Sequence, residues 1–478
     1  MSSSSDCFED LDAVSVAELA QRVLRARHHL ATDRHRDAAP VEAEPRHEVG
    51  HARAGGCAAG LAVDGEREHC AGGFRHRLAM IRYAARVPSA QGGDALAASG
   101  LGPAVAAIDL EALRANFAEA RRLAAGRRVI AVVKADGYGH GAVAVARALA
   151  SAGVGALATW SVGEAAALRD AGIAAPLLVL SGVRDAAEAG EVVARGFAAV
   201  IHDPGGRAAL AEAVRRGGGA RVSVHVEVDT GMRRMGVPFA DAEPFIAEVA
   251  RDPGLALDGV MTHLARADES DLAPTREQLR EFAQLIGALR RRGVEPGAVH
   301  TANSAALVAE DALAGEGPPQ DAVRPGIMLY GAQPSVHRAA ALRPVMSLRA
   351  PVVAVRRVRR GDAVGYAALY RAPADTRIAT LALGYADGVP IAASGNGSVW
   401  LAGARRPIAG RVSMDYLGVD VGDARVEVGD VAVVFGCEVA GGPVVLPVEE
   451  AARDAGTLPY ELLVRVGARV RRELCGSV

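Results

Sequence analysis

Residues 129–141 read VIAVVKADGYGHG. Five apolar residues, Val129–Val133, run directly into Lys134 and then into glycines at alternate positions, Gly137, Gly139 and Gly141. The first part lacks polar alternation and so reads as a strand buried on both faces. The second part reads as a loop that glycine allows to approach a ligand closely. Lys134 therefore falls at the C-terminal end of a buried strand. The glycine spacing is not GxGxxG, and no acidic residue follows where a dinucleotide site would need one.

Outward from this stretch, seven more apolar runs recur: Ala156–Thr159, Leu177–Leu180, Ala198–Ile201, Val222–Val228, Leu257–Leu264, Ala298–Ala302 and Ala322–Met328. Amphipathic pieces such as Ala142–Ala150, Val162–Ala171 and Thr275–Arg292 lie between them. Eight β–α units within about 230 residues predict an α/β fold whose N-terminal part, residues 101–335, is a (β/α)8 TIM-type barrel. A doubly wound open sheet is the runner-up, because strand count alone does not close a barrel.

Past Gln333-Pro334-Ser335 the character changes. Short β-branched runs at Pro351–Val358, Ile378–Leu383, Ser398–Leu401 and Ala424–Phe435 predict a mainly β C-terminal domain over residues 336–478. Helices are expected there at Val448–Arg453 and Tyr460–Arg471, and the strand near 104–109 is a candidate to join this domain. Residues 1–100 hold seven of the 13 His and three of the five Cys, and read as a poorly structured extension with one candidate helix, Leu11–Leu30.

Composition removes several function classes. The chain has 478 residues and a net charge of -2, which argues against a nucleic-acid binder. The longest charge-free apolar stretch, Ala148–Gly163, is too short to span a bilayer, so no membrane partner is expected. The N-terminus MSSSSDCFED has no basic n-region or apolar h-region. The Cys form no CxxC pair, and Cys57, His69, Cys70 and His76 match no zinc spacing, so no metal site is predicted. A reducing cytoplasm is the default. One count is more telling: of 54 basic residues, Lys134 is the single lysine. Arginine can replace lysine as a surface charge, but not as a neutral, nucleophilic amine.

Other unusual polar residues fall at equivalent places. His225, Glu227 and Asp229 alternate along the fifth strand and run into Arg234. His263 ends the sixth strand, His300 and Ser304 the seventh, and Arg324 and Gly326 lie on the eighth. All are expected at the same rim, where such barrels carry their active sites. Ser304 and the amides around Gly326 suit a phosphate. A lone lysine facing a phosphate site suggests pyridoxal 5'-phosphate (PLP), held as a Schiff base, whose ring serves as an electron sink.

The motifs VVKADGYGHG, DTGMRRMG, MTHLARADE, HTANSAA, RPGIMLYG, GYADG and GRVSMD together resemble the alanine racemase family, in family order, over some four-fifths of the chain. That resemblance implies a PLP-dependent isomerase, a barrel plus a β domain working as a head-to-tail homodimer. It would interconvert L- and D-alanine, supplying D-alanine for peptidoglycan. Lys134 would hold the cofactor and be one catalytic base. Tyr366 would be the other, supplied across the dimer interface. Arg324 would hydrogen-bond the pyridine nitrogen, and His263 would link it toward Tyr366. Tyr138, Ser304, Gly326, Ile327 and Tyr460 would line the phosphate. Arg234 would contact the cofactor phenolate and the substrate carboxylate, which Met414 of the other subunit would also meet. Tyr385 and Asp268 would narrow the entry, and Asp415 falls within the last motif.

Two positions depart from the family pattern. Gly365-Tyr366-Ala367 stands where the family has Ser-Tyr-Gly, and Glu227 stands where it commonly has a carbamylated lysine. Glu227 is expected to orient Arg234, directly or through water. Competing readings are a broader small amino-acid (serine) racemase, a related basic amino-acid decarboxylase, which Arg324 argues against, and a non-catalytic PLP-binding protein, which the β domain argues against.

Overall fold

The computed structural model describes residues 103–218 and 220–476. The expectations for residues 1–100 lie outside them. The first strand is β1 (Val105–Asp109), and the lysine-bearing run follows as β2 (Arg128–Val132). Then come β3 (Ala156–Thr159), β4 (Leu177–Val179), β5 (Ala198–Ile201), β6 (Val222–Asp229), a two-residue β7 (Val237–Pro238), β8 (Leu255–Thr262), β9 (Ala298–His300) and β10 (Ala322–Val323). Leaving aside β1 and β7, these are the eight predicted runs.

The eight strands are parallel and pair in sequence order, and β10 returns to pair with β2. Across the remaining seam, the Asp321 and Arg324 amides donate to Val299 and Ala302 carbonyls, both at 2.8 Å. Spatial order thus follows chain order all the way round, whereas a doubly wound sheet reverses at a switch point. Local chemistry starts the helices. Asp109 caps Leu110–Ala124 by accepting the Ala112 amide at 2.8 Å. Ser161 and Glu164 form a reciprocal capping box on Val162–Asp170. Among the described residues no helix is long and apolar enough to cross a membrane.

The later strands are β11 (Met346–Val358), β12 (Ala363–Val364), β13 (Tyr370–Arg371), β14 (Thr376–Leu381), β15 (Ser398–Leu401), β16 (Ala404–Pro407), β17 (Leu417–Asp420), β18 (Val431–Cys437), β19 (Val444–Leu446) and β20 (Arg471–Cys475). The long β11 is the spine, pairing antiparallel with β1, β14 and β18. β1 lies between β11 and β20, antiparallel to the first and parallel to the second. The small ribbon of β12 and β13 carries Tyr366 in its turn.

The expected helix over Tyr460–Arg471 is corrected: it spans Pro459–Val464, and Arg471 begins β20. Gly467 lies so close to the 386–387 backbone that a Cβ there would come within 2.9 Å of the Ala386 carbonyl. Its amide is bonded to the Asp387 carbonyl rather than to a preceding helical turn.

Candidate active site

Lys134 leaves β2 and enters an unusual turn. Ala135, Asp136, Gly137 and Tyr138 all have φ between 52° and 61°. For a non-glycine residue that conformation costs roughly 1–2 kcal/mol, so three of the four are held there by their surroundings. Glu164 accepts the Ala135 amide at 2.9 Å, and Asp136 accepts the Ala142 amide at 2.7 Å. His140 Nδ1 lies 3.0 Å and 2.9 Å from the Gly137 and Tyr138 carbonyls. Arg472 donates to the Gly139 carbonyl. Such over-determined strain is typical of functional sites. Of the three glycines of this loop, one has a different use. Gly139 instead packs on the helix Pro459–Val464, where a Cβ would meet the Leu463 carbonyl at 2.5 Å.

Lys134 faces a cavity of about 390 Å³ at the C-terminal mouth of the barrel. Tyr138, Glu227, Arg234, His263, Ser304, Arg324, Gly326, Ile327 and Tyr460 share its wall. Burial pushes the Lys134 ammonium down and nearby Arg234 pushes the same way, while Glu164 and Glu227 oppose. The balance lowers the ammonium below its ordinary range.

One side of the cavity is a hydroxyl cradle. Ser304 Oγ accepts the Gly326 amide at 2.8 Å, so its own hydrogen remains available. Tyr138 stacks on Tyr330 at 4.6 Å, and Tyr330 Oη donates to the Val132 carbonyl at 3.0 Å. A Cβ on Gly326 would come within 2.5 Å of Tyr138 Oη. Burial pushes the Tyr138 and Tyr460 phenols up, which keeps both protonated as donors.

The opposite side is built on Arg324, fully enclosed. Nη1 donates to His300 Nδ1 at 2.7 Å and to the His300 carbonyl at 2.8 Å. Nη2 donates to the Thr262 and Thr301 carbonyls at 2.7 Å and 3.2 Å. The four Nη hydrogens are thus spent within the barrel, which leaves Nε–H to face the cavity. Burial lowers this guanidinium to about 10, opposed by Glu227, so it remains charged at neutral pH. His263 beside it is pushed down to about 3 by burial and then by Arg324, and is neutral.

Glu227 meets His202 rather than Arg234. His202 Nδ1 lies 3.2 Å from Glu227 Oε2, a contact of ion-pair distance without the alignment of a full hydrogen bond. Burial pushes the Glu227 carboxyl up. His202, followed by Arg324 and His263, outweighs it and leaves the group below its ordinary range. Asp229 turns into its own loop, accepting the Gly231 and Arg233 amides at 2.8 Å and 3.1 Å. It thereby shapes the turn that presents Arg234. His225 and His300 do not reach the rim. His300 is fully enclosed, and His225 lines a second cavity at the opposite mouth with Arg128 and Asp258.

Tyr366, Tyr385, Met414, Asp415 and Asp268 do not line this cavity. Tyr366 is 69% exposed, and Tyr385 and Met414 are also exposed. The loops of the last two are joined by Tyr385 and Ala386 amides donating to the Ser413 and Met414 carbonyls, at 2.9 Å and 3.1 Å. Arg469 clamps them by binding Asp387 and Asp415, both at 2.7 Å. Asp268 is close enough to Tyr460 to add to the upward push on its phenol. Trp160, Leu180, His202, Met235, Met261 and Asn303 line the cavity without having been singled out. Trp160 and His202 each follow the last residue of a barrel strand, β3 and β5, the same signal that marked Lys134.

Comparison with known proteins agrees along the chain. The profile "Alanine racemase, N-terminal domain" matches residues 108–334, and "Alanine racemase, C-terminal domain" matches residues 345–474. An alanine racemase of Thioalkalivibrio sulfidiphilus is 44% identical over 377 residues, 78% of this chain and 98% of the relative. One of Sorangium cellulosum is 39% identical over 381 residues, 77% and 98% respectively. The crystal structure of alanine racemase from D-cycloserine-producing Streptomyces lavendulae superposes with a TM-score of 0.73 at 35% identity, covering 79% of this chain and 98% of that one. The biosynthetic alanine racemase from Pseudomonas aeruginosa gives 0.70 at 37% identity, covering 78% and 100%.

Proposed function

This chain belongs to the alanine racemase family, and on that footing we propose that it interconverts L- and D-alanine with PLP as cofactor. The observation that carries the reading is the placement of Lys134. The single lysine of the chain stands at the end of the first barrel strand, with its amine pushed toward neutrality in the cavity. The rest of the wall fits the cofactor. Tyr138, Ser304 and Tyr460 offer hydroxyl donors for a phosphate, and the bare Gly326 lets the Tyr138 hydroxyl sit close against its backbone. Arg324 offers one N–H to a ring nitrogen. As a donor with no proton to give up at neutral pH, it favours the unprotonated nitrogen.

The bound cofactor supplies the electron-withdrawing ring that makes an amino acid's α-hydrogen acidic. Lys134 Nζ takes or returns that proton on one face. Arg234 holds the substrate carboxylate. The second face needs a second base, and Tyr366 Oη is our assignment. It is exposed on its own chain, so a second copy must present it, giving a homodimer with shared sites. The exposed side chains of Tyr366, Tyr385, Met414 and Tyr416 support that surface being covered.

The test is direct. Purified protein given PLP and L-alanine should yield D-alanine, and borohydride reduction followed by peptide mapping should find the pyridoxyl group on Lys134. Absence of D-alanine, or racemisation by Lys134→Ala, would overturn the reading.

A further inference from the structure

Arg324 is the top of a hydrogen-bonded chain that runs down through the barrel interior. His300 Nδ1 takes the Arg324 Nη1 hydrogen at 2.7 Å, and His300 Nε2 lies 2.9 Å from His225 Nδ1. The donors and acceptors permit one arrangement. Arg324 only donates, so His300 Nδ1 carries no hydrogen. His300 Nε2 then carries it and donates to His225 Nδ1, which leaves the His225 hydrogen on Nε2. Every bond points away from the cavity, ending at the lower mouth beside Asp258 and Arg128.

The fold makes room for this chain. His225 is opposite Gly259 in the β6–β8 ladder, and the register shifts between Val224 and His225. A Cβ at Gly259 would lie 2.2 Å from His225 Nδ1. The bare position and the irregular ladder together admit the imidazole. Both rings are buried, and burial keeps both neutral, with His225 pushed down to about 4.

We infer that His225 is a positioning residue for the cofactor site: through the fixed tautomer of His300 it holds Arg324 so that a single N–H, on Nε, faces the cavity. This rests on the reading that Arg324 meets the cofactor's ring nitrogen. Without His225, the His300 Nε2–H loses its acceptor. The ring is then free to turn, and Arg324 loses a fixed partner. A less firmly held guanidinium would let water protonate the ring nitrogen, diverting turnovers to half-transamination, in which alanine leaves as pyruvate and the cofactor as its amine.

Three variants test this in the full chain. His225→Leu removes the acceptor. His225→Asn restores one where Nδ1 stood. Gly259→Ala displaces the ring. The first measurement needs no cofactor: nitrogen-15 spectra of histidine-labelled apoprotein should show His300 neutral with its hydrogen on Nε2, and His225→Leu should shift the Nε2–H resonance to that of a hydrogen without an acceptor. The second is on PLP-loaded protein: pyruvate formed per racemisation should rise roughly tenfold in His225→Leu and Gly259→Ala, the order of one lost buried hydrogen bond, and stay near wild type in His225→Asn. A charged His300, or an unchanged pyruvate ratio in folded His225→Leu and Gly259→Ala, would overturn the inference. If no D-alanine forms in any protein, the racemase reading fails while the spectra still decide the tautomer.

Discussion

His202 and Glu227 form a buried pair in the cavity wall, and both nitrogens of the histidine face acceptors. Nε2 lies 2.9 Å from the Leu180 carbonyl, and Nδ1 lies 3.2 Å from Glu227 Oε2. A carbonyl can only accept, so Nε2 carries a hydrogen. The Glu227 carboxyl, held below its ordinary range chiefly by this histidine against the upward push of burial, is a negative charge in the cavity wall.

Glu227 supplies this charge without bound carbon dioxide, because the chain has no second lysine to carbamylate. Activity should not depend on bicarbonate. Glu227→Gln keeps the shape and removes the charge. It should raise the Michaelis constant for alanine or lower turnover by roughly tenfold, the scale of one charge-assisted hydrogen bond. Wild-type kinetics in that variant would falsify a role for the charge.

Shared sites predict subunit complementation. Lys134→Ala and Tyr366→Phe should each be nearly inactive as pure dimers. A mixture exchanged to equilibrium should regain activity, since each heterodimer contains one site with both residues intact. Steady-state assays on mixed and unmixed samples, with exchange verified by mass, settle it. No recovery would place Tyr366 outside the other subunit's site.

Gly326→Ala should weaken PLP binding by roughly tenfold or more while leaving the barrel folded. The loss is set by the 2.5 Å approach of the new Cβ to Tyr138 Oη. Equilibrium dialysis of the cofactor reads it. Unchanged affinity would mean that the cradle lies elsewhere.

Acid should destabilise the fold through buried histidines. His140 and His225 are pushed down to about 4 and His263 to about 3, in each case chiefly by burial. Below the unfolded value near 6.5 the unfolded chain takes up protons that the native state refuses. Stability is therefore present above pH 6.5 and falls as pH drops toward 4, by roughly 1.4 kcal/mol per pH unit for each such histidine. Urea midpoints at pH 7.5 and 5 should show the loss, and His225→Asn should reduce it. Equal midpoints would contradict the assignment.

The barrel was legible because parallel strands buried on both faces leave unbroken apolar runs, and Lys134, His263 and Arg324 stood out as polar residues at or just past their ends. Depth was not legible. Alternation places His225 and Glu227 on one face of β6, yet Glu227 lines the upper cavity and His225 the lower one. Nor was the bend at Gly467, since apolar spacing carries no trace of a backbone that must pass close to another. Tyr366 and Met414 were found through resemblance alone. On the β domain of a single chain they are exposed side chains with nothing local to mark them.

The position of β1 sets an order for assembly on the ribosome. Val105–Asp109 emerges early, but its partners are Met346–Val358 and Arg471–Cys475, made after every barrel strand. The barrel can close during synthesis, while one edge of β1 waits for β11 and the other for β20. A ribosome stalled, or a message truncated, between codons 358 and 471 thus leaves a product with a finished barrel and one bare edge on β1. That product is marked for aggregation or chaperone capture rather than for partial function.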